Sequence, residues 1–169
     1  EELSLELKQK YVDRSPAVQA SVGAYIDLLS RGGRRMRGVL LLLSHDMFGG
    51  SRNTQAERLA AIIEMIQAYL LLFDDIADQS DIRRGHPSVH RLLEAYLGEQ
   101  QPGADEARRA SNLSQMAGLL SVHEIILKTL ELELPQEMSS QVLAIMQRHL
   151  IETTIGQIDD IYAEFDTLP

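Results

Sequence analysis

The chain has 169 residues, of which 44% are hydrophobic and 24% are charged, a composition typical of a globular protein with a buried core. The absence of cysteine excludes disulfide bonds, zinc–thiolate sites and cysteine nucleophiles. The net charge of −9 argues against a nucleic acid partner, so an anionic substrate would need local cations or a metal ion. Without a leader-like segment or a membrane-length apolar run, we expect a single cytoplasmic domain over residues 1–169.

The first third of the chain has the signals of three helices. A short amphipathic segment covers residues 3–12, and Ser15 followed by Pro16 predicts the start of a second helix. A third helix is predicted from Arg34 to Phe48, where two glycines end it. Because residues 39–43 have no polar face, we expect this helix to be buried on most sides.

A basic, glycine-flanked segment precedes the third helix. Its four arginines crowd the N-terminus of a helix, where free N–H groups and the helix dipole already favour an anion; they are Arg31, Arg34, Arg35 and Arg37. Cations are unfavourable at that end unless an anion joins them. The segment is therefore either an anion site or a solvated basic loop.

The fourth predicted helix begins at a capping box formed by Thr54 and Glu57. Its predicted apolar stripe consists of Leu59, Ile62, Ile63, Ile66, Leu70 and Phe73. Gln67 lies two turns before Asp74, and an amide among apolar neighbours needs a partner, either in the core or on a ligand.

Three carboxylates end this helix, and two arginines follow them. Asp74 and Asp78 are four residues apart and share a helix face, while Asp75 lies about 100° from Asp74. Such crowded acids suit a hard cation such as Mg²⁺, which bridges carboxylates to phosphates. Arg83 and Arg84 can bind the phosphates bidentately. A solvated acidic helix end is the alternative, but acids are unfavourable at the C-terminal end of a helix dipole, which favours a functional site.

The rest of the chain is also helical in pattern. A short helix is predicted from Val89 to Leu97, and a last helix over residues 136–165. Between them, a long helix over residues 106–132 is predicted to bury Ala110, Leu113, Ala117, Leu120 and Leu127. In the last helix Gln157 and Asp160 share a face, and Gly156 predicts a close approach of a helix or ligand. Because no segment alternates with the period of a strand, the predicted fold is all-α.

Five motifs in this order resemble the trans-isoprenyl diphosphate synthases, a family that includes farnesyl and geranylgeranyl diphosphate synthases. The motifs are GGRRMR at 32–37, EMIQAY at 64–69, DDIAD at 74–78, RRGHPSVH at 83–90 and GQIDD at 156–160. The resemblance implies an antiparallel helix bundle around a central cavity, usually in a homodimer. It also implies that Mg²⁺ on aspartate-rich motifs grips an allylic diphosphate, whose cation is attacked by isopentenyl diphosphate.

The resemblance also implies residue roles. Asp74 and Asp78 would hold the metal with support from Asp75, and Asp160 would lie near the metals. Arg83 would bind the allylic diphosphate. Isopentenyl diphosphate would be bound by Arg34, Arg37, Arg84 and Gln67, and Gln157 would face the cavity. Tyr69 and Leu70 occupy positions that can limit product length, which favours a short product.

The sequence departs from the family pattern at several positions and in its length. Arg34 replaces the usual lysine, Gly38 replaces the usual proline, and Phe73 stands where many members have histidine. The second aspartate-rich motif belongs beyond Asp160, so we expect about half of the fold here, incomplete at the C-terminal end. We therefore predict that this polypeptide alone is inactive, whereas a complete chain would be active.

Three alternatives remain open from the sequence. A non-catalytic partner subunit would explain the missing motifs, but we would expect it to have lost the metal-binding and arginine residues. A terpene cyclase shares the aspartate motif but does not need isopentenyl diphosphate-binding arginines. A purely structural bundle explains the apolar stripes and none of the motifs.

Overall fold

The computed structural model describes residues 2–100, 103 and 105–166. Their main elements are helices, which confirms the all-α prediction. The helices are α1 (Glu2–Lys10), α2 (Pro16–Ser30), α3 (Met36–Met47), α4 (Thr54–Ala77), α5 (Val89–Gln100), α6 (Glu106–Leu130) and α7 (Gln136–Asp166). No helix in this described part is both long and apolar enough to cross a membrane.

A small hairpin between α4 and α5 corrects the prediction that the chain has no strands. Strand β1 (Ile82–Arg83) pairs antiparallel with β2 (His86–Pro87). Arg84 and Gly85 form the turn, both with positive φ, of 55° and 76°. Two positive-φ residues are typical of the tight turn that matches strand twist. Arms of two residues are too short to show an alternating pattern, which explains why the sequence did not reveal them.

The contacts divide the chain into two compact units after Ile125. The first unit contains α1 to α5, the hairpin and most of α6, and the second contains the end of α6 and all of α7. The expectation of a single domain stays a prediction.

Helix α4 is the central element of the first unit, where it contacts α2, α3 and α5. Its buried face is not the predicted stripe. Of that stripe only Ile62 is fully buried, and the other members are half-buried. The buried face instead contains Ala60, Met65, Ala68, Leu72 and Asp75. Because α4 is apolar on most sides, periodicity did not identify the side on which small alanines allow close packing.

The ends of α4 and α2 differ in how they are capped. The N-cap of α4 is Asn53, whose side chain accepts a hydrogen bond from the Ala56 N–H at 2.9 Å, so the capping residue lies one position before the predicted Thr54. Pro16 begins α2 as predicted, but Ser15 makes no side-chain cap hydrogen bond.

Helix α3 is exposed where the sequence predicted burial. Met36, Val39, Leu40 and Leu43 are between 44 and 54% exposed, and Gly38 is the buried residue of this helix. In the described residues α3 packs chiefly against α4, on the side where Gly38 lies. The prediction of burial on most sides is therefore wrong for this part of the chain. In α6, Ala110 and Ala117 are buried as predicted, whereas Leu127 is 45% exposed.

A close contact between α4 and α6 depends on glycine. A Cβ added at Gly118 would lie 2.2 Å from Cε2 of Phe73, whose ring also packs edge-to-face with Tyr69 at a centroid distance of 5.2 Å. The aromatic ring therefore occupies the space that any other side chain at position 118 would need.

We predict that Gly118→Ala destabilises the protein relative to Gly23→Ala by about 1–3 kcal/mol, the usual cost of overpacking a core. Gly23 is the matched control, because it lies within α2, and an added Cβ there meets no atom within 4 Å. Both substitutions gain the same helix propensity. Urea unfolding of both variants measures the difference, and equal free energies of unfolding would contradict the contact.

Candidate active site

The three aspartates at the end of α4 have different environments. Asp75 is fully buried, the Asp74 side chain is 37% exposed, and Asp78 is exposed. The Asp78 N–H donates to the Asp74 carbonyl at 2.9 Å, so the helical path continues to Asp78. The spacing thus keeps Asp74 and Asp78 on one face, while Asp75 belongs to the core.

Arg83 joins two of these aspartates. Its Nε donates to Oδ1 of Asp75 at 2.6 Å, and its Nη2 donates to Oδ2 of Asp74 at 2.6 Å. Burial lowers the pKa of Arg83, but the hydrogen bonds and charges of Asp75 and Asp74 outweigh burial, so its pKa is raised. In this structure Arg83 bonds to both carboxylates and balances one of their two negative charges. Its predicted contact with a diphosphate stays a prediction.

Two buried side-chain oxygens of helix α4 have no hydrogen-bond partner among the described residues. One is Oδ2 of Asp75 and the other is Oε1 of Gln67. Burial raises the pKa of Asp75, and the Arg83 hydrogen bond and charge offset only part of that effect. Such atoms are rare in folded proteins and need an explanation. They are consistent with a site that receives further polar groups.

The residues predicted to control product length lie on the same helix. Tyr69 and Leu70 are half-buried, and burial raises the pKa of Tyr69. The contact of Tyr69 with Phe73 places two rings in the turns before the aspartates.

The basic segment before α3 has a strained backbone. Arg35, the N-cap residue, adopts left-handed geometry with φ of 46°, which is uncommon for a residue other than glycine. Its Nη2 donates to the Leu29 carbonyl at 2.6 Å, which holds this conformation. Arg34 and Arg37 are exposed.

Glu64 fixes the start of α3. The Gly38 N–H donates to Oε1 of Glu64 at 2.9 Å, and a Cβ at Gly38 would lie only 3.1 Å from the Ala60 carbonyl oxygen. A carboxylate at a helix N-terminus satisfies a free N–H and the dipole. Glu64 belongs to the EMIQAY motif, and the sequence predicted no role for it. Glu64 also borders a largely apolar cavity of about 490 Å³ between α1, α2, α3 and α4.

The hairpin lies against the basic segment. Arg84, at the hairpin turn with φ of 55°, donates from Nη1 to the Arg31 carbonyl at 3.2 Å. Its guanidinium lies so near Gly33 that a Cβ there would be 3.0 Å from Cζ. Burial lowers the pKa of Arg84, and the neighbouring cation Arg35 lowers it further. Two basic segments, separated by some fifty residues, therefore meet beside the aspartates.

Arg31 was predicted to be either solvated or part of an anion site, but the structure buries it. It is 7% exposed and donates to the Pro87 carbonyl at 2.7 Å and to the Arg83 carbonyl at 3.3 Å. These hydrogen bonds could not be predicted from the sequence, because every residue has a main-chain carbonyl that can accept one.

The C-terminal motif lies in the second unit. Gln157 is half-buried and Asp160 is exposed on α7. An added Cβ at Gly156 meets no atom within 4 Å, so within the described residues no neighbour makes the close approach that was predicted there. The roles of Gln157 and Asp160 stay predictions.

The metal-binding prediction is compatible with the donor set. The described residues contain no cluster of three or more metal-ligating side chains. Mg²⁺, however, commonly binds through one or two carboxylates together with waters and substrate phosphates. Asp74 and Asp78, on one helix face with access to solvent, can supply those two carboxylates.

Comparison with known proteins assigns this sequence to a family. The family model of polyprenyl synthetases matches residues 19–168. The chain belongs to the polyprenyl synthetase family.

Several curated relatives are similar over parts of their lengths. The chain is 46% identical over 63 residues to a geranylgeranyl diphosphate synthase of Sulfolobus acidocaldarius, which covers 37% of this chain and 19% of the relative. It is 28% identical over 148 residues to a geranyl-diphosphate-specific all-trans-nonaprenyl-diphosphate synthase of Rhodobacter capsulatus, which covers 88% of this chain and 42% of the relative. The matched segments thus span less than half of these relatives. No solved structure matches the chain significantly.

We predict that Asp75→Ala destabilises the protein by about 2–4 kcal/mol, because it leaves the partly buried Arg83 without its main counter-ion. Asp78→Ala, at an exposed position on the same motif, should change the free energy of unfolding by less than about 0.5 kcal/mol. Thermal or urea unfolding measures both. Equal effects at the two positions would show that the Asp75–Arg83 pair does not stabilise the fold.

Proposed function

We propose that the protein containing this chain is a Mg²⁺-dependent prenyltransferase that condenses isopentenyl diphosphate with an allylic diphosphate. The observation that carries the proposal is the meeting of the 31–37 segment and the 82–87 hairpin beside Asp74. Two groups of arginines next to two accessible carboxylates suit two diphosphates and a divalent cation. The names of the relatives, all prenyl diphosphate synthases, agree with this chemistry.

The arginines bind and orient the two substrates. Arg34 and Arg37, exposed at the start of α3, and Arg84, at the hairpin turn, bind the diphosphate of isopentenyl diphosphate, with Gln67 as a further contact. Arg83, which is bonded to Asp74 and Asp75, binds the allylic diphosphate. Cationic side chains held in place before the reaction stabilise negative charge without reorganisation.

The reaction breaks the allylic carbon–oxygen bond, and the bonding electrons leave with the diphosphate. The double bond of isopentenyl diphosphate then supplies two electrons for the new carbon–carbon bond, and a proton is lost to give the elongated allylic diphosphate. Mg²⁺ held by Asp74 and Asp78 would neutralise the departing diphosphate. A role in metal binding for Asp160 is proposed from the family resemblance alone. The apolar face that includes Tyr69, Leu70 and Phe73 excludes water from the allylic cation.

We further propose that the protein acts as a cytoplasmic homodimer and makes a short product. The product assignment is supported by the bulky residues Tyr69 and Leu70 before the aspartates. We assign Gln157 to the substrate cavity from the family resemblance alone. The dimer and the location also rest on that resemblance, and the product assignment rests in addition on the position of Tyr69 and Leu70 on α4.

We predict that the protein including all downstream family motifs converts the two diphosphates to a longer prenyl diphosphate, whereas the 169-residue chain does not. The shorter chain contains only the first aspartate-rich motif. Incorporation of labelled isopentenyl diphosphate into extractable product measures the activity. In the complete protein Asp74→Asn should lower kcat by about 100-fold or more.

Two outcomes would contradict parts of this proposal. Condensation by the 169-residue chain would show that the second motif is dispensable. An inactive complete protein that still bound diphosphates would indicate a non-catalytic partner subunit. Arg52→Lys, an exposed change in the loop before α4, is the control for nonspecific loss of activity.

We predict that Tyr69→Ala in the complete protein lengthens the product, because removal of the ring would deepen the central substrate cavity that the family resemblance implies. Tyr69→Phe keeps the ring that contacts Phe73 and should leave the product unchanged. Chromatography of the dephosphorylated products distinguishes the two variants. If both variants made the wild-type product, Tyr69 would not set chain length.

A further inference from the structure

Arg31 is a buried cation that the proposed reaction does not use. Its side chain is 5% exposed, and a guanidinium in that position loses much of its hydration. Burial of a charge is costly unless a counter-ion and hydrogen bonds replace the water. Asp27, one turn earlier on α2, supplies the counter-ion: its Oδ2 accepts from Nε of Arg31 at 2.8 Å and also from Nη2.

The third nitrogen of the Arg31 guanidinium, Nη1, forms hydrogen bonds with a different element, the hairpin. Nη1 donates to the carbonyl oxygens of Pro87 at 2.7 Å and of Arg83 at 3.3 Å. These carbonyls belong to the two strands of the hairpin, whose closing hydrogen bond runs from the Ser88 N–H to the Asp81 carbonyl at 2.9 Å. The guanidinium therefore attaches both strands of the hairpin to the end of α2.

The backbone of Arg31 contributes to the same junction. Its carbonyl oxygen accepts from Nη1 of Arg84 at 3.2 Å and from Nη2 of Arg35 at 3.3 Å. Arg31 thus donates hydrogen bonds to the hairpin from its side chain and accepts one from the hairpin residue Arg84 at its main-chain carbonyl. The hairpin that carries Arg83 and Arg84 and the segment that carries Arg34 and Arg37 therefore meet at Arg31.

We propose that Arg31 is a positioning residue, which fixes the hairpin against the 31–37 segment so that both groups of arginines bind diphosphate together. This role rests on the proposed function. Arg31 itself touches no substrate, because its three nitrogens are engaged by Asp27, Arg83 and Pro87. A lysine could not replace it, because a single ammonium lacks the planar fork that spans a carboxylate and two carbonyls.

The test compares Arg31→Lys with the wild-type 169-residue chain in two measurements. The first is hydrogen exchange at the Ser88 amide, which reports opening of the hairpin. The second is calorimetric titration with inorganic pyrophosphate in the presence of Mg²⁺. Arg58→Lys is the matched control: Arg58 also joins two elements, donating to Glu2 and Glu6 on α1, but it lies in the second turn of α4, far along that helix from Asp74.

We expect Arg31→Lys to raise Ser88 exchange and the pyrophosphate Kd by about tenfold or more, as loss of charged hydrogen bonds implies. Amides in the middle of α4 should keep their exchange rates, which would show that the variant is folded. Asp27→Asn retains the bonds from Arg31 to the hairpin and should give smaller changes in the same direction. Arg58→Lys should change neither measurement.

The outcomes separate this inference from the proposed function. If wild type binds no pyrophosphate, the arginines of this chain do not form a diphosphate site by themselves, and the positioning role is wrong. The activity of the complete protein tests the proposed function separately. If wild type binds and Arg31→Lys binds equally well, only the role of Arg31 is wrong. Faster Ser88 exchange with unchanged pyrophosphate affinity would make Arg31 a structural residue alone. Unchanged exchange would show that Arg31 does not fix the hairpin.

Discussion

The arrangement of the site depends on the ion pair between Asp75 and Arg83. Asp75 has no contact with solvent, and it lies on the same buried face of α4 as Ala68 and Leu72. A carboxylate in that position requires a cation, and Arg83 supplies it through a 2.6 Å hydrogen bond from Nε. Because Arg83 is a residue of strand β1, the ion pair brings the hairpin to the end of α4, and Arg84 comes with it. The packing of one helix thus determines where the second basic segment lies.

The local features of this fold were accessible from the sequence. Apolar periodicity, Pro16 and paired glycines predicted the helices, because helix formation and termination depend on nearby residues. The motif order identified the family, which the match over residues 19–168 confirms. The aspartates lie where α4 ends, as predicted, and Asp75 differs from its neighbours because it lies on another side of the helix.

The failures of sequence reasoning share a physical cause, since each concerns contacts between distant segments. The buried face of α4 was predicted wrongly, because the helix is apolar on nearly all sides and the neighbouring helices decide which side is covered. Helix α3 was predicted to be buried, yet Leu40 is 54% exposed among the described residues. Arg31 and Glu64 were not identified as structural links, because the hydrogen bonds that join them to other elements go to main-chain groups, which every residue possesses. No side-chain pattern identifies such an acceptor or donor.

Backbone strain marks the same region as the charge cluster. Arg35 and Arg84 both adopt left-handed conformations, and both donate side-chain hydrogen bonds to the end of α2 or the residue that follows it. Such a conformation costs of order 1–3 kcal/mol for a residue other than glycine and persists only where the surroundings impose it. The arginines also lower the pKa of Arg84 through mutual repulsion, after the larger effect of burial. A fold that holds strained cations together would gain stability when an anion bound among them. The net charge of −9 would repel that anion elsewhere on the chain, so the basic cluster supplies the local attraction that the whole molecule lacks.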